Sequence, residues 1–116
     1  MTSDKSLDGT SQQGFATYEN AKEATRRAVF LNLAGKMSSD APYKQQLADI
    51  FRVCRSAAIS AGAAVGYTET QIDAEISELC DADTRHLKLA SDKVFKEFAQ
   101  ESGAIVKRFL AASDIG

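Results

Sequence analysis

His86, Asp83, Cys80 and Cys54 are the residues from which a metal or thiol centre would be assembled, since the chain holds one histidine and two cysteines. Their spacing argues against one. There is no Cys-x-x-Cys pair, no second histidine and no His-Glu-x-x-His. A di-iron bundle takes Glu-x-x-His from each of two helices. This chain offers Asp83-x-x-His86 once. The expectation is therefore no metal and no cofactor, with His86 on a surface or at a helix end. Cys54 falls on an apolar helical face and Cys80 follows Leu79, positions where a thiol packs as a small hydrophobe. No Gly-rich phosphate loop follows a strand, no Gly-x-Ser-x-Gly elbow is present, and no carboxylate pair stands beside an apolar run that would raise a pKa. The chain is expected to have no catalytic residues and not to be an enzyme.

Charge is the more informative chemistry. Formal net charge is −2, but the acids are concentrated. Glu69, Asp73, Glu75, Glu78, Asp81 and Asp83 fall within residues 67–84, which hold no lysine or arginine. Acids at a helix N-terminus compensate its dipole, an effect confined to the first turn. Six acids extend well past that turn. The set Glu69, Asp73, Glu75, Glu78, Asp81 and Asp83 is accordingly the candidate partner-binding face, complementary to a protein with a basic surface.

The elements that carry these residues read as helices. Around Ser56–Gly66 the small side chains of SAAISAGAAVG would allow another backbone close, and Gly62 and Gly66 form a Gly-x-x-x-Gly spacing, read here as tight helix packing. Upstream, Tyr18, Ala21, Ala24, Thr25, Ala28 and Leu31 recur at three- and four-residue steps, with Val29, Phe30, Leu33, Ala34 and Met37 widening the stripe. A first helix is predicted from about Thr17 to Met37. Asp40-Ala41-Pro42 opens a second, to about Val65, with Gly66 just beyond its end. Thr68-Glu69-Thr70-Gln71 is a capping box that starts the third. Its apolar spacing continues to Phe98, with Asp83 where an apolar residue is expected. Running to Gln100 it would span ~48 Å, longer than its predecessors. It is predicted to break near Cys80–Thr84, where Asp83 and Thr84 are capable caps. Gly103 predicts a further break before a short helix, Ala104–Ala112.

Residues 1–14 hold one leucine among polar and glycine residues and are predicted to be a flexible tail, leaving 15–116 as a single helical domain. No alternating strand pattern occurs. The fold expected is all-α, a bundle of three long helices with the third broken into four or five segments altogether. No run approaches the ~20 apolar residues of a membrane span. With no apolar leader and no disulfide framework, a reduced cytoplasmic setting without membrane is expected. The function expected is a non-enzymatic protein–protein interaction module, an inhibitor, immunity-like or adaptor protein that also self-associates as a homodimer. Two alternatives stand beside it. One is a helix-turn-helix-type DNA-binding regulator, read from the corner Ala57-Ala58 through Gly66 to Ile76. Its second helix carries no base before Arg85 and would be repelled by phosphates, so nucleic acid is disfavoured. The other is a small-ligand or cofactor-binding helical bundle.

Overall fold

The computed structural model describes the backbone of residues 2–36 and 38–112 and the side chains of residues 17–36 and 38–112. Among the described residues there are four helices: α1 (Thr2–Gly35), α2 (Ala41–Ala64), α3 (Glu69–Lys88) and α4 (Asp92–Ala112). No strand occurs among the described residues. The long dimension of the molecule, 56 Å against 30 and 25 Å, is set by α1, whose 34 residues reach ~51 Å at 1.5 Å each. The longest helix is thus the first, not the third. Its backbone is helical from Thr2, ahead of the start predicted at Thr17. The segment expected as a flexible tail, residues 1–14, thus has its backbone from Thr2 within α1, while the side chains of residues 1–16 and Met37 lie outside the described residues.

Each boundary has a local cause. Asp40 caps α2 by accepting a hydrogen bond from the Tyr43 amide (3.1 Å), with Pro42 in the first turn. At the far end Gly66 takes φ +99°. Its amide reaches the Ala63 carbonyl (3.2 Å) and the Tyr67 amide the Gly62 carbonyl (2.9 Å), the paired bonds of a Schellman motif. Both bonds of the predicted capping box are present: Thr68 Oγ1 accepts from the Gln71 amide (3.1 Å), and Gln71 Oε1 accepts from the Thr68 amide (2.8 Å).

The predicted break at Cys80–Thr84 does not occur, and α3 is continuous through it. Thr84 turns its hydroxyl back onto the Cys80 carbonyl (2.9 Å), the bond that lets a threonine stay inside a helix. The chain breaks instead at Leu89–Ser91. There Ser91 Oγ accepts from the Val94 amide (3.3 Å) and the Ser91 carbonyl from the Phe95 amide (3.0 Å), so serine starts α4. The predicted break at Gly103 is also absent, and α4 passes through it without interruption. Three helices with a broken third become four helices of 34, 24, 20 and 21 residues.

The helices are arranged around α1. Gly35 meets Leu47 and Gly62 meets Tyr18, so α2 runs antiparallel to α1. Tyr18 and Lys22 bond Glu75 while Arg26 bonds Asp83, so α3 runs parallel to it. Phe30 packs on Phe95 and Phe98, and Arg27 reaches Ser102, so α4 is antiparallel. α1 is consequently buried on several sides between Tyr18 and Phe30, while α3 and α4 scarcely touch each other. One core cluster joins Tyr18, Ala21, Ala58, Ile72 and Ile76; a second joins Ala24, Ala28, Cys54 and Val106. Gly62 lets the helices close up: a Cβ there would lie 2.5 Å from Ile72 Cδ1 and 2.9 Å from Tyr18 Cε1. A Cβ at Gly66 would meet nothing within 4 Å, so the Gly-x-x-x-Gly spacing divides into one packing glycine and one helix terminator. No helix among the described residues is long and apolar enough to cross a membrane.

Candidate functional site

The acidic set on α3 lies along a helix whose Ile72 and Ile76 are buried. This fixes which acids face the bundle. Glu69 and Asp73 accept from the Arg55 guanidinium of α2, at 3.2 Å for Glu69 and at 3.1 and 2.7 Å for the two Asp73 oxygens. Glu75 accepts from the Tyr18 hydroxyl (2.7 Å) and from Lys22 Nζ (2.9 Å). Asp83, 6% exposed, forms a two-pronged pair with Arg26: Nε to Oδ2 at 2.7 Å, and Nη2 to Oδ1. Four of the six acids therefore carry a counter-charge supplied by α1 or α2. Glu78 and Asp81 are exposed and form no ion pair among the described residues.

The electrostatics follow from these contacts. The bonds from Tyr18 and Lys22 hold the Glu75 carboxyl below its ordinary pKa. Burial, reinforced by the Glu75 bond, pushes the Tyr18 phenol well above its own. Burial alone would lower Lys22, but its bonds to Glu75 and Glu19 outweigh this and its pKa rises. The Tyr18 ring also stacks on Tyr67 of the α2–α3 turn, centroids 5.0 Å apart, with Lys22 Nζ 4.7 Å from the ring centre. On the opposite flank of α1, Arg27 lies over the Phe98 ring at 4.5 Å and is held by Glu23 (3.0 Å). Sequence reasoning missed Lys22, Arg26 and Arg55 as counter-charges. The available signal was the i, i+4 placement of Lys22 and Arg26 beside an apolar stripe.

Burial acts on both thiols. Cys54 is buried between α1 and α2, and burial pushes its pKa up to about 11. Burial raises Cys80 as well. Among the described residues, no group of three or more His, Cys, Asp or Glu comes together as metal ligands. Two hollows remain. An open polar one of about 550 Å³ on α3 is bordered by Lys22, Glu75, Glu78, Asp81 and Arg85. A longer groove of about 930 Å³ runs between α2 and the end of α4, with Ala57, Ala61, Ile105 and Phe109 on its walls. The helical corner at Gly66 exists, and the exposed line of α3 beyond it is acidic through Asp81.

Compared with known proteins, the chain matches no family model, no curated protein and no solved structure.

Proposed function

We propose that this chain is a non-enzymatic protein-interaction module, of the inhibitor, immunity or adaptor kind, that presents the outer face of α3 to a basic partner surface. The state of Glu78 and Asp81 supports the reading. They stand three residues apart on one helical face, exposed and in no ion pair among the described residues. Like charges at that spacing cost a helix a few tenths of a kcal/mol. They also lie beyond the first turn, where the dipole would reward them. The fold uses the other four acids and leaves these two.

Reversing both, Glu78→Lys with Asp81→Lys, is expected to leave the thermal midpoint nearly unchanged, because both are exposed. Affinity capture from the native cell with mass-spectrometric identification is expected to lose the wild-type partner. Capture unchanged by the double reversal would overturn the acidic-face reading. Glu75 is unsuitable for this test, since its replacement strips Tyr18 and Lys22 of a bond.

A further inference from the structure

The four large apolar side chains that the described fold leaves exposed, Leu33 (54%), Tyr43 (44%), Leu89 (91%) and Phe95 (42%), all come to one end of the molecule. α1 and α3 finish there, and α2 and α4 begin. The end is not smooth. Val29, Phe30, Leu33, Cys80 and Leu87, with Arg26, Asp83 and Thr84 on its polar side, border a cavity of about 40 Å³ between α1 and α3. Phe95 adjoins it through its edge contact with Phe30, centroids 5.3 Å apart.

The charge around this end is opposite to that of the α3 face. Lys36, Lys44, Arg85, Lys88, Lys93 and Lys96 lie on the segments that meet there, against Asp40, Asp92 and Glu97. Asp40 is occupied as the α2 cap. None of the six cations forms an ion pair among the described residues. Arg85 and Lys88 complement the C-terminal dipole of α3, but Lys93 stands in the first turn of α4, where a cation opposes the dipole. The fold does not account for it.

We infer that this end is a docking site for an acidic amphipathic helix of another protein, whose apolar side chains cover Leu33, Leu89 and Phe95 and whose carboxylates meet Lys88, Lys93 and Lys96. Helix-in-groove recognition needs apolar anchors at helical spacing, and a rim of opposite charge sets orientation and on-rate. The recess beside Leu33, apolar on one side and bordered by Arg26, Asp83 and Thr84 on the other, offers a seat for a shaped protein side chain and nothing for a fluid bilayer to fill. The inference goes beyond the acidic-face reading and uses none of its residues, sharing with it only that the occupant is a protein.

The test is selection of helical peptides on the full-length chain from a displayed peptide library. The peptides recovered are expected to be amphipathic and rich in Asp and Glu. Their affinity is expected to fall about tenfold or more with Leu89→Ser and with Lys88→Glu plus Lys93→Glu, and to weaken with salt. Leu89 is almost fully exposed, so its variant folds. The Glu78→Lys, Asp81→Lys protein is expected to bind these peptides undiminished, which separates failure of this site from failure of the acidic face. Recovery of no peptides, of peptides without acidic enrichment, or of binders indifferent to Leu89→Ser overturns the inference. So does sedimentation with phosphatidylserine vesicles in place of peptide binding, or a Leu89-dependent rise in mass by light scattering, which would assign the end to lipid or to a second copy.

Discussion

Arg26 of α1 and Asp83 of α3, 57 residues apart, meet through two parallel hydrogen bonds, with Asp83 nearly sealed from solvent. The guanidinium also holds Glu23 at 3.0 Å, and the bond to Asp83 drives the Arg26 pKa above its already high ordinary value. Removing one member of a buried pair typically costs 3–5 kcal/mol. Arg26 retains Glu23 and some solvent access, so Asp83→Ala is expected to cost about 2–3 kcal/mol, read as a lower urea midpoint at constant slope. Asp83→Leu combined with Arg26→Met is expected to recover most of that loss, since no unpaired charge remains.

Gly62 is where α1, α2 and α3 come closest to sharing one spot in the core, with Tyr18 on one side and Ile72 on the other. A methyl there would push into Ile72 and Tyr18 at once, and Tyr18 is fixed by its stack and by Glu75. Gly62→Ala is expected to destabilise by about 1–3 kcal/mol, measured by thermal or urea unfolding. Gly103→Ala has open space around its Cβ within a continuous helix. It is expected to stabilise by roughly 0.5–1 kcal/mol from propensity alone.

Acid stability carries a signature of Glu75. Its folded pKa lies below the ordinary 4.5. The unfolded chain therefore takes up a proton first as pH falls. The stability this contributes is complete above the ordinary carboxylate value and is lost as pH drops through the folded one. Urea midpoints measured from neutrality downward are expected to fall less steeply in Glu75→Gln than in the wild type.

The thiols offer a readout of packing. Cys54 is fully buried with its pKa near 11, and Cys80 is half-buried between α1 and α3. A thiol-specific chromophoric reagent at mildly alkaline pH is expected to label Cys80 first. Cys54 should react at the rate of unfolding, and labelling of both at equal rates would contradict the α1–α2 interface.

What the residues determine on their own is local. Helical periodicity, the Thr68–Gln71 capping box, the Asp40–Pro42 start and the Gly66 terminator each act within a few positions along the chain, so they are legible without knowing what lies opposite. Asp83 marks the limit. As a polar residue on an apolar stripe it reads as a cap and a break, and only α1, by placing Arg26 against it, turns it into a core residue of an unbroken helix. The same holds for the acidic run. Its charge is visible in sequence, but the pairing of Glu69, Asp73, Glu75 and Asp83 depends on Arg55, Lys22 and Arg26 arriving from other helices. Coulomb interactions and close packing are set by distance in space, and tertiary structure alone decided that Glu78 and Asp81 are the acids of the set left without an ion pair among the described residues.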